Sequence, residues 1–265
     1  REQRHGRADV DQQLRAGEVD FASMALTPLV LDRIADHHPG GPEDPVILAG
    51  LVHSTLINRV VFRTDGSISE PADLHDREVA LPLGTNAEFL WWLFGTVHGL
   101  DPSRISLQDQ GIDAIPALVI SGAVDAAVIW EPWLSRLSLQ LGTALGQFPV
   151  RDIYAAKWVL VTLRQTASER PELCETVLAA YRDAISQINL DHSNALAIYA
   201  QRAALPADAL RDAGIIQMLD YQLSLDWSLI GALQLQLRWA QQHRASATEA
   251  LGRQPIEVTS FFDDR

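Results

Sequence analysis

GIDAIPALVISGAVDAAVIWEPW, residues Gly111 to Trp133, contains in order a helix, a tight turn, a buried strand and a polar-aromatic loop. Ile115, Leu118 and Val119 recur at helical spacing, and Gly122 can take the left-handed conformation that ends a helix. Val124 to Ile129 is an apolar run short enough for a buried strand. Trp130, Glu131, Pro132 and Trp133 follow. In a parallel α/β sheet, ligands bind where the chain leaves the carboxyl end of a strand, so these four residues are the first site candidates.

The pattern occurs twice. LRAGEVDFA (Leu14 to Ala22) and ISGAVDAA (Ile120 to Ala127) both place Gly, any residue, Val and Asp ahead of an apolar strand and after a helical segment. Ser23, Met24, Ala25, Leu26, Thr27 and Pro28 then stand where Ile129 to Pro132 stand in the second copy. One copy is ordinary helix-to-strand geometry. Two copies, each leading into a Pro-containing loop, imply two similar halves.

The chain has 265 residues, 47% of them hydrophobic, which is enough for two lobes with proper cores. Its longest apolar runs fall well short of the roughly 20 residues of a membrane span, so no direct membrane insertion is expected. The opening residues do not read as a signal peptide. With 21 basic and 34 acidic residues the net charge is −13, and no basic stripe is present, so nucleic acid is not an expected partner. The lone Cys174 rules out an intrachain disulfide and a cysteine-built metal site; it reads as a small buried residue on a helix.

In chain order, Val10 and Leu14 suggest a helix ending at Gly17 and a strand from Val19 to Ser23. Thr27 and Pro28 open a helix through Leu29, Val30, Arg33 and Ile34, which Pro39, Gly40, Gly41 and Pro42 end. Val46 to Val52 and Arg59 to Arg63 read as strands with His53, Ser54 and Thr55 between them. Val79 to Leu83 is a strand, and Thr85 or Asn86 caps the helix beginning Phe89, Leu90, Trp92, Leu93. Backbone N–H groups at that helix start can hold an anionic or polar group, although a capped helix without ligand explains the same residues. Adjacent Trp91 and Trp92 cannot face the same way. Gly99 closes this helix and Ile105 to Gln108 is a short strand. Beyond Trp133 follow a helix to Gly142, a strand near Gln147 to Val150, and the strand Trp158 to Leu163. From Ser168 the chain turns helical. Leu173, Val177, Leu178, Tyr181, Ile185 and Ile188 form an apolar face. Asn194 to Arg202, Pro206 to Ala213 and Leu229 to Gln242 are further helices, and Phe261 and Phe262 pack an extended tail against the body.

ISEPADLHDREVA (68 to 80), GTNAE (84 to 88), HGLD (98 to 101), SGAVDA (121 to 126) and WEPW (130 to 133), in this order, resemble the nitrate, sulfonate and taurine group of ABC-transporter substrate-binding proteins. The resemblance covers most of the chain and implies an α/β, two-lobed type II periplasmic-binding fold with a helix-rich C-terminal part. Lobe one would comprise residues 1–60 and 159–265, and lobe two residues 64–156. The crossovers would lie near 60–63 and 156–159 and act as hinges closing on a ligand. In that family a strand, a ligand-contacting loop and a helix come before the segment that Arg1 to Gly6 matches.

The resemblance also implies the pocket: Met24, Ala25, Leu26, Thr27, His53, Ser54 and Thr55 from the first lobe; Gly84, Thr85, Asn86, Ala87, Glu88, Trp130 and Glu131 from the second. Each has a plainer explanation. His53 can hydrogen-bond a loop carbonyl, Trp130 can be core, and Glu131 can be a solvated loop acid. A sulfonate or nitrate wants N–H donors, which the helix start at Thr85 supplies; Glu131 repels a bare anion and suits a neutral heteroaromatic such as a pyrimidine stacked on Trp130. No nucleophile motif, phosphate-binding glycine loop or paired metal-ligand histidines occur, so a non-enzymatic periplasmic or cell-surface binding protein is expected. It would need no cofactor or metal and would partner an ABC permease if it serves transport. A ligand-sensing domain and a pyrimidine- or menaquinone-pathway enzyme on the same fold are the alternatives.

Overall fold

The computed structural model describes residues 7–35, 40–243 and 256–262. Arg1 to Gly6 and the helix stop expected at Pro39 lie outside them. In chain order the elements are α1 (Arg7–Arg15), β1 (Phe21–Ala25), α2 (Leu26–Ala35), β2 (Pro45–Ser54), β3 (Asn58–Arg63), β4 (Glu78–Leu81) and α3 (Asn86–His98). There follow β5 (Ser106–Asp109), α4 (Ile115–Ser121), β6 (Ala126–Trp130), α5 (Trp133–Leu141), β7 (Leu145–Phe148) and β8 (Ala156–Leu163). The remainder is α6 (Arg164–Glu169), α7 (Pro171–Leu190), α8 (His192–Ala203), α9 (Ala207–Asp212), β9 (Asp220–Ser224), α10 (Trp227–His243) and a 3-10 turn at Val258–Phe261.

The chain divides into two compact units, one of Arg1–His53, Lys157–Ser186 and Tyr221–Arg265, the other of Ser54–Ala156 and Gln187–Asp220. The first division falls at the end of β2, earlier than the expected crossover near Val60 to Arg63. β3 accounts for this: Asn58 to Phe62 pair with β6, and Val60 to Arg63 pair with β7, so the strand belongs wholly to the second unit. Residues 187–220 also group with the second unit rather than with 159–265. Arg136 on α5 donates to the carbonyl of Ala203, and the Ser54 hydroxyl donates to that of Met218.

Unit one holds the sheet β1-β8-β2-β9, in which β1 is an edge strand antiparallel to β8. α2 packs on α10, where the Thr27 hydroxyl donates to the Gln236 side-chain oxygen at 2.8 Å. Arg33 is fully buried, paired with Asp44 at 2.9 Å, bonded to the carbonyls of Pro45 and Ser260, and stacked over the Phe261 ring. Phe261 is thus core, as expected, although the tail expected to be extended forms a 3-10 turn there. Cys174 is buried on α7, as expected, whereas the apolar face expected there from Leu173 to Ile188 is only half-buried and Leu190 is exposed. β9, with the polar sequence DYQLS, is a strand that the sequence did not suggest.

Unit two holds the mixed sheet β5-β4-β6-β3-β7. Alternation along its strands sends Val61, Ala80, Ala127 and Ile129 to one face, where Ile115 and Val119 of α4 and Leu134 and Leu137 of α5 cover them. The other face meets α3 through an aromatic cluster: Phe148 lies 4.6 Å from Phe62 and 5.9 Å from Phe94 between ring centroids. Trp91 is buried and stacks on Phe94, and Trp92 stacks on Phe89, so the two tryptophans do part company. α8 and α9 form a smaller core of their own around Leu196, Leu210, Ile215 and Ile216.

Candidate functional site

β4 and β6 run parallel, with Val79 opposite Ala126 and Ala80 opposite Ala127, so their carboxyl ends leave the sheet at the same edge. β3 runs the other way, with Asn58 opposite Trp130, and therefore starts at that edge. Here the Glu131 N–H donates to the Ile57 carbonyl at 3.1 Å. Ser54 and Thr55, Gly84 to Glu88, and Trp130 with Glu131 are thereby brought together at one sheet edge. Such an edge is where an open α/β sheet presents its ligand-facing groups.

The unit-one candidates do not form a loop. β1 passes directly into α2, so Met24 and Ala25 end the strand while Leu26 and Thr27 open the helix. Met24, Leu26 and Thr27 are buried, and Thr27 spends its hydroxyl on Gln236. His53 is half-buried within β2. The reason is packing: α2 is amphipathic from its first residue and seats its whole first turn against unit-one core.

At the start of α3, Thr85 is the N-cap, accepting from the Ala87 N–H at 3.2 Å and donating to the Pro82 carbonyl at 2.7 Å. Glu88 reaches back to accept from the Gly84 N–H at 2.6 Å. Two backbone donors that an anion could use are therefore occupied internally, and a carboxylate already sits at the positive end of the helix. Asn86 is buried and hydrogen-bonded through its side chain. It lies beside Tyr154, whose phenol is pushed well up by burial and drawn partly back by Asn86.

Trp130 is half-buried at the end of β6, its ring 6.4 Å from that of Trp133 and edge-on to it; Trp133 donates its indole N–H to Asp113 at 3.0 Å. Glu131 is 8% exposed and accepts from the Ser135 N–H at 3.0 Å, closing the first turn of α5. Burial pushes its carboxyl pKa up, and the bonds from Ser135 and the charge of Arg59 pull it partly back. Burial also lowers the Arg59 guanidinium, which Glu131 counters and Arg151 reinforces. Glu131 is therefore not a solvated loop acid. It lines a cavity of about 440 Å³ in unit two with Arg59 of β3, Ser135 of α5, Gln147 of β7 and Asp212 of α9.

Arg59 and Ser135 went unnoticed in the sequence. Arg59 sits inside an apolar run as the sole charge between Asn58 and Val60-Val61-Phe62, a signal that a strand position faces something polar. Ser135 stands four residues after Glu131 on one helix face, readable only once α5 is known to start at Trp133. Among the described residues, no group of three or more His, Cys, Asp or Glu side chains could hold a metal ion, and no helix is long and apolar enough to cross a membrane.

Solved structures share this fold. The periplasmic aliphatic sulphonate binding protein SsuA from Escherichia coli matches with a TM-score of 0.78 at 19% identity, covering 95% of this chain and 77% of that one. The alkanesulfonate-binding protein SsuA from Xanthomonas axonopodis pv. citri, bound to MOPS, matches at 0.75 and 18%, covering 96% and 83%. The CA3427 gene product of Candida albicans, which exhibits the generic periplasmic binding protein structural fold, matches at 0.71 and 16%, covering 97% and 83%. The fold is that of the periplasmic binding proteins. Residues 2–192 match the family described as NMT1/THI5 like, and the chain belongs to that family. No curated protein matches it in sequence.

Proposed function

We propose that the chain is a non-enzymatic solute-binding protein that works outside the cytoplasm and hands a small organic ligand to an ABC permease. The observation that carries this reading is the convergence of the β4 and β6 strand ends and the β3 start at one edge of the unit-two sheet, with Trp130 half-exposed there. Family membership and the sulfonate-binding roles of its structural relatives support it. Small sulfonates and nitrate-like anions are candidate ligands by that likeness. Within the site, Glu88 at the α3 start and Glu131 at the end of β6 favour a ligand that brings hydrogen-bond donors as well as acceptors.

The test is a thermal-shift screen of alkanesulfonates, taurine, nitrate and pyrimidines, followed by calorimetry on any hit. One saturable binder is the expected result. No binder in the panel would remove the support for a sulfonate, nitrate or pyrimidine carrier.

A further inference from the structure

We propose that Asn58, at the head of β3, is a ligand-contacting residue of the strand-end site, and that it selects a neutral ligand carrying an N–H beside a carbonyl, as a primary amide or a lactam does. This rests on the solute-binding reading above and names the chemistry its site takes. Asn58 is 2% exposed, and neither its side-chain oxygen nor its side-chain nitrogen has a partner among the described residues. A buried amide left so costs free energy at both atoms until something completes it. Its place points to a ligand. Asn58 pairs directly with Trp130 across β3 and β6, so the two side chains stand next to each other on one face of the sheet. Alternation puts them on the α3 side with Phe62, while Arg59 and Ile129 take the α5 side. The half-exposed Trp130 ring is a surface on which a planar group can lie, and the amide beside it can read that group's edge.

The strand head is held on both sides of this residue. Arg59 Nη1 donates to the carbonyls of Leu56 and Asn58 at 2.5 and 2.7 Å, and the Ile57 carbonyl accepts from the Glu131 N–H at 3.1 Å. The backbone that carries the amide is therefore set before a ligand arrives. Both amide atoms are closed to solvent, so binding includes a side-chain rotation at this sheet edge, and rotamer changes of that kind are common on complex formation. A primary amide offers one acceptor and two donors in one plane. A sulfonate or nitrate only accepts, so it would take the amide N–H and turn its own lone pairs on the amide oxygen. An ammonium only donates and leaves the amide N–H unmet. A ligand with N–H and carbonyl side by side pairs with both atoms at once, and it brings no charge that must be desolvated.

Calorimetric titration of the full chain with benzamide and caprolactam tests this, alongside N,N-dimethylbenzamide, which lacks the N–H, and benzenesulfonate, which only accepts. At least one of the two amides binds, and the dimethyl compound and the sulfonate bind about tenfold more weakly or worse. Asn58→Leu keeps the shape of the side chain and removes both polar atoms. It holds or raises the Tm, because a buried amide without partners is lost, and it weakens the bound amide by about tenfold or more. The preference for benzamide over N,N-dimethylbenzamide disappears in this variant, which a purely structural role for Asn58 would not bring about. No heat from either amide at millimolar concentration overturns the proposal. So does equal affinity for benzamide and its dimethyl analogue in wild type, a comparison that decides the matter even where Asn58→Leu does not fold. An unchanged amide affinity in a folded Asn58→Leu overturns it as well. A chain that binds a sulfonate or nitrate but neither amide overturns the role of Asn58 alone and leaves the solute reading standing. Amide binding lost in Asn58→Leu, with no hit among sulfonates, nitrate and pyrimidines, removes the support for those carriers and leaves the role of Asn58 standing.

Discussion

The chain contains one motif twice, and the two copies end differently. In both, a glycine in the left-handed region terminates a helix, Gly17 at φ 68° and Gly122 at φ 71°. The same pair of bonds closes each: Gly17 N–H to the Leu14 carbonyl and Glu18 N–H to that of Gln13 in the first, Gly122 N–H to the Val119 carbonyl and Ala123 N–H to that of Leu118 in the second. The aspartate after the valine ties each strand down, Asp20 by an ion pair with Arg170, Asp125 by accepting from the Glu78 N–H at 2.9 Å. Past the strand they diverge. β1 lies at a sheet edge and runs straight into α2, whose first turn is core; β6 lies mid-sheet and ends in Trp130 and Glu131, which face an open edge and a cavity. Local sequence sets helix, turn and strand, while sheet position decides whether the residues that follow become core or stand at an open sheet edge beside a cavity.

Removing the anchor of the core copy gives the largest expected effect. Asp44→Ala removes the 2.9 Å ion pair with Arg33, the buried cation of α2, and costs about 3–5 kcal/mol in urea unfolding. A cost below about 1 kcal/mol would mean that α2 is not fixed as described. Next come the shared turns. Nothing lies within 4 Å of a Cβ added at Gly17 or Gly122, so Gly17→Ala and Gly122→Ala each carry only the backbone cost, about 1–2 kcal/mol, and should agree closely. Clearly unequal costs would break the equivalence of the copies. The smallest effect is a pH dependence peculiar to the second copy. Glu131 has a folded pKa above its unfolded value, so between the two the folded chain binds more protons and gains stability as pH falls. Glu131→Gln lacks that gain. The Tm difference between wild type and variant should therefore shift in favour of wild type on going from neutral pH towards the ordinary glutamate range; a constant difference contradicts the burial of a charged Glu131.

The repeat was legible because glycine at a helix end and aspartate beside a strand act within a few residues. The Thr85 cap and the Gly99 and Gly122 stops were legible for the same reason. What escaped depended on distant partners. Met24 to Thr27 read as a loop by analogy with the second copy, but Gln236, more than two hundred residues away in sequence, makes Thr27 core. DYQLS became β9 only through pairing with β2, since its own residues alternate weakly. Arg59 acquires meaning only when β3 is placed between β6 and β7, beside Glu131.

The contrast between a core copy and a site copy is tested most directly by calorimetry of wild type, Trp130→Ala and Glu131→Ala with the ligand found in the solute screen. The predicted result is a loss of about tenfold or more in affinity for Trp130→Ala, with folding retained because the ring is half-exposed, and a comparable loss for Glu131→Ala. Wild-type affinity in both variants would contradict the assignment of this strand end as the binding edge.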